Sequence, residues 1–567
     1  MVDTEQFAGS VAGETRFEQG WEQGASGQDA SPAPEVCVRV EPPAPGAGPH
    51  PAAGPAMRHV RFLILGCGPC GLGAALELEE NGAAGPDHYL VVDPSPVPGG
   101  WASSRQTPEG FTFDFGGHVL FPHKYYPKFM ELLDSLPMQW VASVPKRGVS
   151  LDGHFLPYPA QRNLQRLGPR KLILVLTSLL LRRLRRGGAA DPGEDHKPDL
   201  ESYLMKQFGE YLTETLMGPL NSKMWAHATS ALSNQWVTLR SGSSGRNVPD
   251  VSLRQTMRNL LTQQDTPGWT SDTFVTYPAT GGSGEIWRAI AAKLPPERLL
   301  LGRGLRSLAL EQKIATLDNG EQIHFDRMIS SMPLDTLLRS IEGRPDLHAQ
   351  AARFVFARSR LYGFGIEGEI APRYRALHSF HVPNQDIPFW RVNFPGSVSA
   401  GNVPAEVGGR PCHSVLCEVS EPASKPGMEE SELGRQVEAG LEKLGLLGKG
   451  RAIVSRFHQT IEHGYPVPFL GRDALLSEVQ PVLEAAGVYS RGRFGAWKYE
   501  ISNQDHAFMQ GVEVVRRLLF KVPEKTYTDP YRVNELVEEE TGASAEVAAR
   551  TASGTALDSL RASASLG

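Results

Sequence analysis

Residues Ile64–Gly73, Ile-Leu-Gly-Cys-Gly-Pro-Cys-Gly-Leu-Gly, place two different chemistries in one stretch. Cys67-Gly-Pro-Cys70 has the spacing of a redox dithiol, in which one thiolate attacks and the second resolves. Gly66-x-Gly68-x-x-Gly71 has the spacing of a dinucleotide turn, in which backbone N–H groups approach a pyrophosphate at a helix N-terminus.

The flanking elements favour the second chemistry. Val60–Leu65 is an apolar run of strand length, and Leu72–Gly82 carries Leu72, Ala75, Leu76 and Glu79 at helical spacing with Gly82 as a stop. A second strand, Tyr89–Asp93, ends on an acid a little over twenty residues beyond the turn, where a carboxylate accepts ribose hydroxyls. In this βαβ unit Gly66 makes the tight turn, Gly68-Pro69 lies under the pyrophosphate and Gly71 lets helix and strand pack closely. The thiols are then bystanders, although Cys70 at a helix start is placed for a lowered pKa. The five cysteines, Cys37, Cys67, Cys70, Cys412 and Cys417, are too sparse for a disulfide scaffold.

A chain of 567 residues accommodates two or three domains, and its net charge of −6 provides no general attraction for nucleic acid. No run reaches the roughly eighteen apolar residues of a membrane span. Leu172–Leu181 stops at Arg182-Arg183 and reads as a packed helix with a solvated basic end, so no stable membrane insertion is expected. No charged-then-apolar leader pattern opens the chain, and a cytoplasmic location is expected. Residues 1–57 and 538–567, rich in Gly, Ala, Pro, Ser and Thr, read as disordered tails. Leu308–Leu317, Asp318-Asn-Gly320, Gln322–Phe325 and Arg327–Ser331 read as a hairpin leading into a buried strand. Leu164–Leu239 has little strand character and much helical spacing. The expected fold class is therefore α/β, a Rossmann-like FAD-binding domain with a helical insert and an antiparallel β-sheet domain. The FAD-binding domain is divided over 58–160, 271–335 and 476–537, the mainly helical substrate domain spans 161–270, and the antiparallel substrate domain spans 336–475.

Three blocks carry a resemblance. Pro98–Ser104, Thr107–Phe121 and Ser490–Met509 (Ser-Arg-Gly-Arg-Phe-Gly-Ala-Trp-Lys-Tyr-Glu-Ile-Ser-Asn-Gln-Asp-His-Ala-Phe-Met) resemble the FAD-dependent UDP-galactopyranose mutases, especially the eukaryotic type. The likeness runs from about Arg61 to about Phe520. It implies FAD as cofactor, a UDP-sugar as substrate, and interconversion of pyranose and furanose with reduced flavin N5 as the nucleophile. NADPH or NADH is the candidate reductant, a homo-oligomer is a candidate assembly, and no metal is implied.

The same resemblance assigns residues. Arg240 and Arg391 flank the substrate diphosphate, with Tyr465 and Tyr499 as hydroxyl donors; both arginines are counted catalytic because the diphosphate is the leaving group. Tyr158 and Gln161 fit the uracil side, and Asn221 and Trp225 fit the helical-domain motif. Gly99, Gly100, Gly117, His118, Arg493, Asn503 and Gln504 join the glycine turn around FAD, with His118, also counted catalytic, against the isoalloxazine. Phe508, Val512, Val515 and Leu519 give the last helix an inward stripe, so its N-terminus is free to face an anion. Leu216, Thr280 and His381 depart from the family pattern, where an aromatic, an Arg and a Tyr are usual. Two other readings remain open on the residues: an amine oxidase or desaturase of the same fold, and a non-catalytic flavin or nucleotide binder.

Overall fold

In the computed structural model, residues 57–535 are described apart from 83–84, 86, 121–125, 187–197, 240–250, 267–274 and 449. The expected tails, Met57 excepted, and the expected diphosphate ligand Arg240 lie outside the described residues.

Strand β1 (Arg58–Leu65) begins with exposed and buried residues alternating and then buries Phe62–Leu65 without a break. Continuous burial is what a central parallel strand requires, because helices cover both faces. β1 lies between β2 (Tyr89–Asp93) and the strand Gln322–Ser330, parallel to both. Phe62 and Ile64 face one core with helix α1 (Pro69–Glu80) and the helices Gly284–Ala291 and Gln504–Phe520. Leu63 and Leu65 face the opposite core with helices Leu334–Ser340 and Arg472–Ala485.

The far edge of Gln322–Ser330 is shared by two partners. Its first half pairs antiparallel with Ile314–Leu317 through the Asp318-Asn-Gly320 turn, and its last three residues pair parallel with Val488–Ser490. Two details of the expected hairpin change. Leu308–Leu317 is two strands, Leu305–Ala309 and Ile314–Leu317, broken at Lys313 with φ 55°. The two later runs are one strand, because Asp326 and Arg327 are exposed at its edge without interrupting it.

A second sheet has the strand order Ile453–Pro466, Phe356–Glu367, Arg410–Pro422, Arg391–Asn393, Ser379–His381, Arg147–Leu151 and His154–Pro157. Here the expected boundary at residue 160 is corrected: Arg147–Pro157 belongs to this sheet, since Arg147–Val149 pairs with Ser379–His381. The helical segment is present as Pro169–Arg186, Leu200–Phe208, Gly218–Trp225, Gln235–Leu239 and Leu253–Thr262. Pro169–Arg186 packs through Leu172, Val175 and Leu179, while Ile173, Leu174, Leu180, Leu181 and Leu184 are exposed. Among the described residues no helix is long and apolar enough to cross a membrane.

Candidate active site

The crevice lies at the carboxyl ends of the parallel strands, where helix N-termini and loops converge. A Cβ on Gly71 would sit 1.8 Å from the Gly66 carbonyl oxygen, and Gly66 itself has φ +104°, so the turn admits no side chain at either position. Gly68 differs. It is extended (φ −86°, ψ −171°), and an added Cβ would meet nothing closer than 3.7 Å, at Gly99 and Gly100. The protein's own packing therefore does not demand glycine at 68; the open space over the start of α1, with Pro69 in its first turn, suits a pyrophosphate. Gly99 N–H donates to the Cys67 carbonyl at 2.8 Å and folds the 97–100 loop onto the turn.

Asp93 accepts from Cys67 N–H at 2.6 Å and Ser95 N–H at 2.7 Å. It thus organises the turn, and each carboxylate oxygen keeps a lone pair for a ribose hydroxyl. Burial pushes both the Cys67 and Cys70 thiols up to about 12. The lowered pKa expected for Cys70 is overturned: desolvation outweighs the helix N-terminus and the Arg491 charge. α1 and Gln504–Phe520 touch through glycines that the sequence reading did not use, since a Cβ on Gly73 would lie 2.2 Å from Phe508 O and one on Gly511 1.9 Å from Cys70 O. The stripe Phe508, Val512 and Val515 is fully buried, with Leu519 partly so.

Three loops meet where the resemblance expects the flavin ring. Trp287 Nε1 donates to Gln504 Oε1 at 2.6 Å, tying Gly284–Ala291 to the start of Gln504–Phe520, whose N-cap is Asn503. Asp114 accepts from Ser104 Oγ, Tyr277 OH and Ser283 N–H at 2.6–2.9 Å, and its burial raises its pKa to about 6. His118 lies 3.4 Å from Ser283 Oγ. Burial, then Arg493 and Arg391, push it down to about 3, so it is a neutral imidazole. Gly117 lies against the second sheet: a Cβ there would meet Asn393 Oδ1 at 2.7 Å and the Arg391 guanidinium at 3.1 Å.

That contact leads to the wall of the crevice. Arg391 donates to Glu418 through Nε at 2.8 Å and Nη2 at 2.7 Å, and its guanidinium stacks 4.5 Å from the Trp390 ring centre. Glu418, buried at 3% side-chain exposure, also accepts from Asn393 Nδ2 at 2.6 Å. One edge of the Arg391 fork is therefore committed, and Nη1 with the remaining Nη2 proton is what a ligand can use. Arg493 stands 5.1 Å from the Tyr465 ring centre and 5.8 Å from that of Tyr499. It donates to Ser502 Oγ at 2.9 Å and the Gly464 carbonyl at 2.9 Å. Tyr465 senses both Arg391 and Arg493, which offset part of the upward push of burial on its hydroxyl. The structure thus gathers Arg391, Arg493, Tyr465, Tyr499 and His118 in one place, with Arg493 against the two tyrosines.

Behind the tyrosines lie Trp225, 4.7 Å from Tyr499 and 5.9 Å from Tyr465, and Trp236, 5.5 Å from Tyr499. Trp225 is fully buried and backs the wall instead of lining it. The indole N–H groups of Trp225, Trp236 and Trp390 are buried and have no acceptor among the described residues. Asn221 turns onto its own helix, donating to Met217 O at 2.8 Å. Tyr158 precedes Pro159 at the end of the second sheet, its N–H bonded to Arg147 O, and Gln161 is buried beyond it. Leu216, 1% exposed, belongs to the helical core and has no face to offer a base. His381 stacks on Trp390 with ring centres 5.8 Å apart, and Thr280 is exposed before Gly281. Glu418 and Asn393 were not found from sequence. The available signal was one carboxylate inside the apolar run Val415–Val419, which needs a buried cation as partner.

A two-layered dinucleotide crevice closed by a sheet rich in hydrogen-bond donors defines a flavoprotein of the amine oxidoreductase class, and the family of flavin containing amine oxidoreductases matches over residues 69–363. The crystal structure of reduced UDP-galactopyranose mutase superposes with a TM-score of 0.76 and 34% identity, over 84% of this chain and 97% of that one. The chain belongs to the UDP-galactopyranose mutase family within these flavoproteins and is a flavoenzyme. Two more distant structures share the fold alone. A putative protoporphyrinogen oxidase from Exiguobacterium gives a TM-score of 0.57 at 15% identity over 82% of this chain and 99% of that one. Putrescine oxidase bound to putrescine gives 0.52 at 13% identity, again over 82% and 99%.

Proposed function

We propose that the chain interconverts UDP-galactopyranose and UDP-galactofuranose. One observation carries this reading. The wall presents the Arg391 and Arg493 guanidinium groups and the Tyr465 and Tyr499 phenols, while the Glu418 carboxylate beside it is consumed by Arg391 and Asn393. Such a donor-rich, acceptor-poor surface suits an oxyanion and repels an ammonium. A diphosphate satisfies it; an amine substrate does not.

The space above Gly68, the α1 N-terminus and the buried Asp93 carboxylate fit the pyrophosphate and ribose of FAD. Reduced flavin, with NADPH or NADH as reductant, would supply the nucleophilic N5. The residues do the rest. Arg391, Arg493, Tyr465 and Tyr499 hold the diphosphate and take up its charge as it leaves. Neutral His118, held beside Ser283 at 3.4 Å, adds no positive charge where the flavin ring would lie. The test is to incubate dithionite-reduced protein with UDP-galactofuranose and follow UDP-galactopyranose by chromatography. Absence of isomerisation by flavin-loaded protein, with oxygen consumed in the presence of an amine, would transfer the chain to the oxidases.

A further inference from the structure

Lys223 makes an unusual set of hydrogen bonds. It lies in the helix Gly218–Trp225, between Asn221 and Trp225, and its Nζ lies within hydrogen-bond distance of four main-chain carbonyls that share its three N–H groups: Val382 and Asn384 at 2.9 and 2.8 Å, and Ile387 and Phe389 at 2.7 Å each. All four belong to the connection Val382–Phe389 between the strands Ser379–His381 and Arg391–Asn393. Among the described residues no carboxylate accepts from this ammonium; the neighbouring Asp386 is bound to Lys443 Nζ at 3.3 Å, on the exposed side.

Four carbonyl dipoles converging on one point repel one another unless a cation sits between them. Pro383 and Pro388 add no N–H donors to offset that repulsion. The connection therefore holds its shape around the ammonium, and its base is closed by Val382 N–H to Trp390 O at 2.8 Å. The next residue is Arg391. From the same helix as Lys223, Trp225 packs on Tyr465 and Tyr499. Burial pushes the amine down to about 7, whereas the carbonyl cage favours the charged form, the one with three N–H groups to give.

We propose that Lys223 is a positioning residue, an internal cation that fixes the Trp390–Arg391 segment against the helix backing the two tyrosines. Its ammonium is committed to these carbonyls, and it sets the spacing between the arginine and tyrosine halves of the wall. The proposal rests on the mutase reading only for its effect on UDP.

The experiment compares flavin-loaded wild type with Lys223→Met and Lys223→Ala. In Lys223→Met, hydrogen exchange of the amides in 382–391 accelerates by more than about tenfold, while the Gln504–Phe520 helix and the flavin content stay as in wild type. UDP affinity falls by about ten- to a hundredfold, as when the support of a binding group is removed. Lys223→Ala leaves a cage of four carbonyl oxygens, so ammonium or potassium restores part of the affinity and lithium or tetramethylammonium does not. Loss of packing alone would show no such selectivity. Should the Met variant not accumulate as folded protein, Lys223→Arg is compared by the same exchange measurement, with acceleration confined to 382–391 expected. Unchanged exchange there, or equal acceleration throughout the protein, overturns the proposal. A wild type that fails to bind UDP defeats the functional reading instead, and the exchange result still decides the clamp.

Discussion

Removing the Arg391 guanidinium should have two separable consequences, because the side chain faces both Glu418 and the crevice. Arg391→Ala leaves Glu418, 3% exposed, with Asn393 as its remaining side-chain donor. Breaking a buried pair from one side costs about 3–5 kcal/mol of stability. The free Nη1 edge is lost as well, and truncating one partner of a buried charged contact weakens binding by about 2–5 kcal/mol, a factor of about 30 to about 5,000 in Kd. The double variant Arg391→Met, Glu418→Gln separates the effects. It removes both charges, and the amide introduced in place of the Glu418 carboxylate keeps an oxygen for Asn393, so stability returns to within about 2 kcal/mol of wild type. UDP affinity does not return. The assay is the denaturant midpoint beside UDP affinity by fluorescence competition, with flavin absorbance as control. Recovery of UDP binding together with stability would show that Arg391 supports the wall without facing the diphosphate, and would refute its role as a phosphate ligand.

Further outcomes follow from the nucleotide half. Gly68→Val should yield folded protein without FAD, since the added side chain meets the protein only at van der Waals distance and occupies the space intended for the pyrophosphate; circular dichroism with flavin absorbance checks it. Cys67→Ser with Cys70→Ser should leave FAD content and turnover near wild type, and iodoacetamide at pH 8 should spare both native thiols, whose pKa lies near 12; rapid alkylation with loss of activity would restore the dithiol reading. His118 falls from an ordinary value of about 6.5 to about 3 on folding. The unfolded chain therefore binds more protons in that window, so this contribution is complete above pH 6.5 and is lost as pH falls toward 3. Asp114, raised to about 6, has the opposite sign and contributes below about 3.8, losing its effect as pH rises through 6. The His118 contribution is accordingly read as the difference between wild type and His118→Asn in denaturant midpoints at pH 7 and 5, with wild type losing ground to the variant at pH 5; a constant difference would refute a neutral imidazole.

Local elements were legible because their causes are local. The βαβ unit was written in apolar runs, one glycine turn and one acid, and the last helix in a stripe of Phe508, Val512 and Val515. What escaped was long-range. That Arg147–Pro157 leaves the nucleotide domain depends on pairing with Ser379–His381, more than two hundred residues away, and nothing in either short run specifies the partner. The Arg391–Glu418 fork joins strands whose register emerges only in the assembled sheet, where the two residues stand opposite one another. Desolvation was equally invisible: a cysteine at a helix start reads as acidic until the Gln504–Phe520 helix is seen covering it through Gly511.

The same division explains why fold alone could not decide the chemistry. A glycine turn, a ribose acid and a helix directed at the ring serve any flavoprotein, and putrescine oxidase, whose structure is bound to putrescine, shares the fold at 13% identity. Discrimination has to come from charge in the second sheet. An amine site needs acceptors or aromatic faces free of neighbouring cations, since a buried like charge raises the cost of placing an ammonium there. Here the Tyr465 face is already occupied by Arg493 at 5.1 Å, the Trp390 face by Arg391 at 4.5 Å, and the nearby carboxylate by a bidentate fork. These three groups, which could have welcomed a cation, are spent on arginines. On the proposed function, specificity for a diphosphate would arise from the same contacts that hold the wall together.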